Sequence, residues 1–352
     1  MMRFLTALAL AILLQAGTAA EDDGGRLLQV GPERALKSPS QAARVARDGD
    51  TIEIDAGTYT NDFTTWRQNN LTIRGVGGLA HMQAGRMIPN GMAIWITQGN
   101  NTLIENVEFS GARVRDTNGA GIRHQGGNLT LRGTYFHHNE FSLMTGSNTS
   151  AHIEVRRSRF WHQRRSTRWS HGIYIGEAGR FTLIGNHFLG TETGHQVKSR
   201  ALENYILYNR MEDIPEVNTS RLIDLSNCGL SFVVGNDMHQ GAAARNLNII
   251  GYGMEGCEGR SERQRQLYVA HNTLVNEAHN ATFVWTSSGG QALVMNNLVY
   301  GPVNFMRGKG RASDNLQLPR TKQGPERWLL PAGSPAIDAA APLPARLPSM
   351  SP

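Results

Sequence analysis

The segment GHQVKSR, residues 194–200, brings an imidazole, an amine and a guanidinium together in the side chains of His195, Lys198 and Arg200. A lysine surrounded by other cations loses its proton more readily and can then act as a general base, and an arginine can hold an anion. Each of these side chains could equally be a solvated surface group. The interpretation therefore depends on which other side chains the fold places beside them.

The chemistry that these residue types support is removal of a proton next to a carboxylate. A cation would neutralise the carboxylate, a base such as Lys198 would take the proton, and a phenol such as that of Tyr174 would protonate the leaving oxygen. On a uronic acid unit these steps amount to β-elimination, and return of the proton to the opposite face would give C5 epimerisation. The leading hypothesis is a polysaccharide lyase, with an epimerase as an alternative.

A repeat of about 25 residues indicates how these side chains are positioned. Short apolar segments such as LTLRGTYF, FTLIGNHF and LVMNNLV recur along the chain, and strands this short are stable only when successive coils stack. Asn and Gly tolerate left-handed backbone, so we expect them at the corners of the coils. A leucine-rich repeat is the main alternative at this length, but its Leu-rich spacing and its helical half are missing from this sequence. The recurring corner positions are Gly75, Asn106, Gly133, Ser158, Asn186, Asn209, Asn236, Asn272 and Asn297.

The repeat predicts an all-β fold, a single-stranded right-handed parallel β-helix of about ten coils that occupies residues 21–340. A short helix over Ser40–Arg47 is expected to cap its N-terminal end. Residues 1–20 have one early arginine, an apolar centre and small residues before Glu21, which is typical of a signal peptide cleaved near Ala20. We therefore expect a secreted or periplasmic protein without a membrane span. Residues 341–352 are rich in proline and are predicted to be disordered.

Equivalent residues of successive coils lie about 4.8 Å apart, and side chains alternate between the interior and the solvent. Aligned on their inward Ile or Val, the segments GIRH, HGIYIG, HQVKSR, RLIDLS and LNIIGY form columns of outward residues. One column holds Arg123, Tyr174, Lys198, Asp224 and Ile250, with Met144 in less certain register. A second column holds His171, His195 and Arg221, and Arg200 lies beside small neighbours. The predicted catalytic residues are Lys198, Tyr174, His195, Arg200 and His171, and the predicted substrate-binding residues are Arg123, Arg221, Asp224, Trp95 and Trp169.

Other kinds of site fit these columns less well. The histidines lie on separate coils without a cysteine or a second column of carboxylates, so no metal site is predicted, and calcium is possible but not indicated. A strained Gly-x-Ser-x-Gly turn is missing. A glycoside hydrolase, a further alternative, normally needs two opposed carboxylates, and Asp224 has no obvious partner in the columns. No cofactor is expected.

The segment VKSRALENYILYNRM resembles the Lys-Ser segment of the alginate lyase and chondroitinase B type of β-helix lyases, within the pectate-lyase-like superfamily. The resemblance implies a parallel β-helix, lyase activity, and the role of catalytic base for Lys198. Those lyases carry an arginine on a following coil, and the corresponding stretch RLIDLSNCG has Ser226 at that position. Arg200 or Arg221 is the candidate to replace it in space.

The net charge of +6 suits a polyanionic partner. We expect an anionic polysaccharide rather than nucleic acid, because the chain carries an export signal and shows no recognition-helix pattern. The chain is expected to be a monomer. A β-helix that binds polysaccharide without catalysis, or serves as a structural protein, is the alternative from another functional class. Cys228 and Cys257 are the only cysteines and fall on adjacent coils, where they can either pair or remain thiols.

Overall fold

The computed structural model describes residues 25–163, 170–215, 218–319 and 333–342. The predicted signal peptide, Trp169 and residues 343–352 of the predicted disordered tail lie outside these ranges. Within these ranges, one α-helix, α1 (Pro39–Val45), and one 3-10 turn (Arg263–Arg265) accompany the strands. The strands are β1 (Leu27–Val30), β2 (Thr51–Thr60), β3 (Thr64–Trp66), β4 (Thr72–Gln83), β5 (Ala93–Thr97), β6 (Thr102–Glu105), β7 (Val107–Ser110), β8 (Ala120–His124), β9 (Leu129–Arg132), β10 (Tyr135–His137), β11 (Phe141–Thr145), β12 (Asn148–Arg156), β13 (Arg159–Gln163), β14 (Ile173–Ile175), β15 (Ala178–Ile184), β16 (His187–Thr191), β17 (Val197–Ser199), β18 (Glu203–Leu207), β19 (Arg210–Glu212), β20 (Ile223–Leu225), β21 (Leu230–Val234), β22 (Asp237–Gln240), β23 (Asn248–Tyr252), β24 (Gln266–Ala270), β25 (Thr273–Asn276), β26 (Ala281–Thr286), β27 (Gln291–Met295), β28 (Leu298–Tyr300), β29 (Val303–Arg307), β30 (Gly310–Ser313) and β31 (Leu316–Leu318).

These strands form two parallel sheets. The ten-stranded sheet has the order β29-β26-β23-β20-β17-β14-β11-β8-β5-β3, so neighbours in space are three elements apart in sequence along most of its length. The larger sheet has 21 strands in two side-by-side runs, as in the pairings of β15 with β18 and of β16 with β19. Each full coil thus contributes three short strands. The predicted all-β parallel β-helix of about ten coils is confirmed.

The interior is a continuous column of apolar side chains that extends from Val30 to Val299. Aromatic rings stack from coil to coil, with centroids 5.3 Å apart between Phe136 and Phe160 and 4.5 Å apart between Phe160 and Phe188. Stacking identical positions of parallel strands brings equivalent side chains together, which suits planar rings. The apolar segments of the repeat therefore supply the core.

A ladder of buried asparagines runs along one corner of the helix. The backbone N–H of Asn209 donates to Asn236 Oδ1 at 2.9 Å, and that of Asn236 donates to Asn272 Oδ1 at 2.9 Å. Asn209, Asn236 and Asn272 satisfy corner backbone groups and are not left-handed, which corrects the role expected for them. Asn106 (φ 52°) and Gly133 (φ 60°) are left-handed as predicted. The left-handed residues lie one position earlier in most coils, for example Gly235 (φ 67°) and His271 (φ 55°). Asn and Gly occur in both of these adjacent columns, so the sequence pattern does not separate them.

The N-terminal end is capped by α1, which confirms the predicted short helix. Pro39 begins it, where the missing N–H costs no hydrogen bond, and Pro39, Ala42 and Ala43 are buried. Within the described part of the chain, no helix combines the length and hydropathy that a membrane crossing needs.

Candidate active site

The outer face of the ten-stranded sheet carries the predicted column of functional side chains. The backbone pairing aligns Arg123 with Met144, Met144 with Tyr174, Tyr174 with Lys198, and Lys198 with Asp224. Their neighbours Ile122, Leu143, Ile173, Val197 and Ile223 are fully buried in the interior. The predicted register is therefore correct from β8 to β20, and the outward side chains of β14, β17 and β20 lie side by side.

The register is one residue off at β23. Ile223 pairs with Ile250 and Asp224 pairs with Gly251, so Ile250 points inward and Gly251 takes the outward position. A Cβ at Gly251 would lie 2.8 Å from Asp224 Oδ1 and 2.9 Å from Arg221 Nε. The missing side chain leaves the room that this ion pair occupies. The run of apolar residues in NIIGY hid the alternation from the sequence.

Trp95 was predicted to bind substrate, and this prediction is wrong. It pairs with the inward Ile122 and is fully buried. Its ring makes edge contacts with Trp66 and Phe109, at centroid distances of 5.4 and 5.0 Å. All five residues of β5 are buried, so alternation could not identify the inward side. Trp285, two strands beyond Asp224, does point outward, with the Arg307 guanidinium 4.6 Å from its ring centroid.

Lys198 lies between two carboxylates. Its Nζ donates a short hydrogen bond to Glu255 Oε1 and is 3.5 Å from Asp224 Oδ2. Asp224 is 1% exposed, and its carboxylate also accepts from Arg221 Nη1 at 2.8 Å and from Ser226 Oγ at 2.5 Å. The Glu255 side chain is 42% exposed. Asp224 therefore fixes the amine from beneath, while Glu255 covers it on the solvent side.

The two predicted catalytic histidines form a stacked pair beside Lys198. The rings of His171 and His195 are 4.9 Å apart and nearly parallel. His171 Nδ1 accepts a hydrogen bond from the backbone N–H of His195, and His195 Nδ1 accepts one from that of Arg221. Both protons are thereby placed on Nε2, and His195 Nε2 lies 3.7 Å from Asp224 Oδ2.

Burial is the main reason that the pKa of each of these histidines lies well below its usual range. Neighbouring charges add to the effect: Lys198 lowers the pKa of both histidines, Arg221 also lowers that of His195, and protonation of His195 would further disfavour protonation of His171. Both imidazoles are neutral near pH 7. Because each Nδ1 accepts from a backbone donor, both rings help to fix the corner of the coil. The catalytic role of His171 and His195 stays a prediction.

Arg200 connects the column to the edge of the site. Its Nε donates to the Tyr174 hydroxyl at 2.9 Å, and its Nη1 lies 2.5 Å from both Asn227 Oδ1 and Glu255 Oε2. Burial acts to raise the pKa of Glu255, but the hydrogen bonds from Lys198 and Arg200 outweigh it and hold that pKa below its usual value. Glu255 is thus an ionised carboxylate that rests on two cations.

Glu255 was not identified from the sequence. It lies on the segment 253–265 between β23 and β24, here named the Glu255 loop. A hydrogen bond from Glu255 N to Ser226 O holds the backbone of this loop. Cys257 in this loop forms a disulfide with Cys228, with Cα atoms 5.3 Å apart, which confirms that the two cysteines lie on adjacent coils and can pair. The available signal was the 36-residue spacing between Asn236 and Asn272, the longest of the repeat.

A buried arginine fastens the same loop to the site. Arg260 donates from Nε to Asn227 O at 3.1 Å and from Nη2 to Arg200 O at 3.0 Å. Its Nη2 is also 3.3 Å from Glu177 Oε1. Together with the disulfide, these contacts fix the position of Glu255 relative to three coils.

Arg123 differs from the other cations of the site. Arg200 and Arg221 have carboxylate partners, whereas Arg123 has none among the described residues, and it lies between the apolar Ile96 and Met144 in its column. Burial lowers the pKa of its half-buried guanidinium. A guanidinium in this setting provides a position for an anionic group of a ligand.

No protein-family model and no curated protein matches this sequence. Among solved structures, the chain is similar to the GH136 lacto-N-biosidase of Eubacterium ramulus, with a TM-score of 0.50 and 12% identity over 83% of this chain and 68% of that one. It is also similar to the pectin methylesterase of Aspergillus niger, with a TM-score of 0.40 and 12% identity over 84% of each chain. A pectin methylesterase in complex with a hexasaccharide matches with a TM-score of 0.34 and 11% identity over 80% of each chain. At such identities the likeness concerns the parallel β-helix fold and selects no specific family within it.

Proposed function

We propose that the protein is a carbohydrate-active enzyme that cleaves an acidic, uronate-containing polysaccharide by β-elimination. The observation that carries the proposal is the shared outward column of Arg123, Tyr174 and Lys198, in which Arg123 has no carboxylate partner among the described residues. Deprotonation next to a carboxylate requires a cation that neutralises the carboxylate and a base that takes the proton. Arg123 and Lys198 supply these on one face, and the Tyr174 phenol beside them can protonate the leaving oxygen.

In the proposed reaction, Arg123 binds the carboxylate of a uronate unit. Lys198, in its neutral form, takes the proton from the adjacent carbon C5 and becomes an ammonium ion that Asp224 and Glu255 stabilise. The electron pair of the broken C–H bond forms the C4–C5 double bond while the C4–O bond breaks. Tyr174 donates its phenolic proton to the leaving oxygen, and Arg200, which donates to the same hydroxyl, orients it. Asp224 acts as a positioning residue for Lys198 rather than as the substrate ligand predicted from the sequence.

Hydrolysis of a glycosidic bond is the second candidate, and one observation favours it. Glu255 supplies the second carboxylate that the sequence columns lacked, since Lys198 Nζ contacts both Glu255 and Asp224. The two carboxylates of a glycosidase must both reach the sugar. Asp224 is 1% exposed and is occupied by Arg221 and Ser226. We therefore prefer β-elimination.

Incubation of the protein with alginate, pectate, glycosaminoglycans and bacterial exopolysaccharides tests the proposal. A lyase generates unsaturated uronates, which absorb in the ultraviolet, together with new reducing ends. New reducing ends without this absorbance would support hydrolysis instead, and a change of uronate configuration without chain cleavage would support epimerisation. Saturable binding without any product would identify a binding protein. A polysaccharide of this kind is found outside the cell, in keeping with the export that we propose from the predicted signal peptide.

A further inference from the structure

A second cluster of chemically capable side chains lies away from the candidate active site, on the larger sheet. His81 of β4 pairs with Glu108 of β7, which in turn pairs with Tyr135 of β10, two residues before His137. The residues between them in these strands, such as Met82 and Phe109, are fully buried in the core, so the cluster faces outward. His81, Glu108 and His137 therefore join three successive coils.

The ligand-forming atoms of these three side chains converge. His137 Nε2 is 2.8 Å and His81 Nε2 is 3.5 Å from Glu108 Oε1, and all three atoms lie within 4.8 Å of one another. Tetrahedral ligands about 2.0–2.1 Å from a zinc ion are themselves separated by roughly 3.3 Å. Each side chain is 18% exposed, so the cluster is enclosed but reachable. Small side-chain adjustments would bring the three atoms onto one ion.

Glu108 is an exception among the glutamates of this sheet. Its partners for an ion pair among the described residues are the two histidines, whereas the comparable glutamates each contact an arginine. A carboxylate whose ion-pair partners are imidazoles lacks a permanent counter-charge, and a divalent cation would supply one. The arginine-paired glutamates are Glu53, Glu105, Glu154, Glu203 and Glu212.

Surrounding contacts hold the imidazoles in place. The His137 ring packs 4.7 Å from that of Tyr135, and its Nδ1 lies 2.7 Å from His138 Nδ1, which leaves Nε2 directed at Glu108. Such a contact to the second ring nitrogen is usual for a metal-binding histidine. His81 Nε2 lies 2.7 Å from Ser110 Oγ as well as 3.5 Å from Glu108 Oε1, and a bound ion would take the place of the serine contact.

We propose that His81, Glu108 and His137 form a binding site for a transition-metal dication, with Zn²⁺ as the ion that suits two imidazoles and one carboxylate. Three protein ligands leave a fourth position for water. The site links three coils and lies on another sheet from Lys198, so the proposal goes beyond the proposed function and does not depend on it.

Titration of the metal-stripped full chain with Zn²⁺ by calorimetry tests this proposal. We expect one saturable site, a higher Tm with bound Zn²⁺, and no comparable binding of Mg²⁺ or Ca²⁺. His81→Gln and His137→Gln should each weaken the affinity at least about tenfold, and Glu108→Gln should do the same, because each removes one of only three protein ligands. Co²⁺ bound in the same site should absorb visible light, and each of these three substitutions should abolish that absorption.

His187→Gln is the matched control, because His187 lies in the same outward column and contacts Glu212, where Arg210 occupies the place of a second histidine. His195→Gln controls for binding at the candidate active site. Both should bind Zn²⁺ as the wild type does. Absence of a saturable site, or equal loss of affinity in the His187→Gln control, would overturn the proposal. Circular dichroism and the metal-free Tm show whether each variant is folded. If a histidine variant does not fold, the Glu108→Gln variant still tests the site.

Discussion

Lys198 and Glu255 are 57 residues apart in the sequence, and the amine of Lys198 donates a hydrogen bond to the carboxylate of Glu255. The contact crosses two coils, because Lys198 belongs to β17 and the Glu255 loop follows β23. A disulfide and a buried arginine hold that loop in place. The proposed base is thus positioned by a segment that its own coil does not contain.

Substitution of Lys198 should abolish most of the proposed activity. Lys198→Ala removes the group that takes the C5 proton, and loss of a general base typically lowers turnover by about 100-fold or more. The variant should fold but have a reduced Tm, because Asp224 and Glu255 lose a shared cation. Initial rates on a substrate that the wild type cleaves measure the effect. Lys309→Ala, an exposed lysine far along the chain, is the control, and full activity of Lys198→Ala would show that another group is the base.

Glu255 should be needed for turnover more than for folding. Glu255→Gln keeps the shape of the side chain but removes the negative charge that stabilises the ammonium formed on Lys198, so kcat should fall about tenfold or more with little change in Tm. Glu258→Gln, an exposed glutamate on the same loop, should behave like the wild type. Equal kcat values for the two variants would remove Glu255 from the mechanism.

The disulfide should support both stability and activity. Cys228 and Cys257 close a segment with a sequence separation of 29, for which the loss of chain entropy in the unfolded state predicts about 3–4 kcal/mol of stabilisation. The double variant Cys228→Ser, Cys257→Ser should unfold at lower urea concentration and lose kcat, because the Glu255 loop is no longer fixed to β20. Unchanged kcat in the folded double variant would mean that Arg260 and the hydrogen bond from Glu255 N to Ser226 O position the loop without the disulfide.

Stability should decrease as the pH falls below the usual pKa of histidine. The pKa of His171 is well below its usual value in the folded state, whereas in the unfolded chain it is about 6.5. Below about pH 6.5 the unfolded state therefore binds a proton that the folded state does not, and the free energy of unfolding declines. Urea unfolding at pH 7 and pH 5 measures this decline.

His171→Asn should reduce that decline, because asparagine can still accept the backbone hydrogen bond from His195 but does not titrate. Asp213, whose pKa burial raises to about 6, gains a proton in the folded state over the same range and acts in the opposite direction. It does so in wild type and variant alike, so the difference between them isolates His171. His152→Asn, at an exposed histidine, should leave the pH dependence unchanged, and an equally steep decline in His171→Asn would contradict the assignment.

The asparagine ladder should contribute strongly to stability. Asn236 Nδ2 donates to Ile206 O and Asn272 Oδ1, and its Oδ1 accepts from both nitrogens of Asn209. Asn236→Ala leaves several of these buried groups without a partner, which should lower the free energy of unfolding by at least about 2–3 kcal/mol. Asn304→Ala, at an exposed position, should change it by less than about 0.5 kcal/mol. If Asn236→Ala lowers the free energy of unfolding as little as Asn304→Ala does, water replaces the hydrogen bonds of the ladder.

Much of the fold could be predicted from the sequence because it depends on local periodicity. Short apolar strands that recur at near-constant spacing can bury their faces only by stacking, and that fixed the coil architecture. The alternation of inward and outward residues then placed Arg123, Tyr174, Lys198 and Asp224 in one column. It failed at Trp95 and Ile250, where neighbouring residues are apolar on both sides and the period of two cannot be seen.

The sequence by itself determined the coiled fold and the Tyr174–Lys198–Asp224 row, because both follow from the strand period and the coil spacing. The tertiary structure alone decided the partners of that row. The Glu255 loop, which places Glu255 over Lys198, and the convergence of His81, Glu108 and His137 depend on loop paths and side-chain directions. Loop paths and side-chain directions follow no periodic pattern in the sequence, so only the packing of the folded coils determines them.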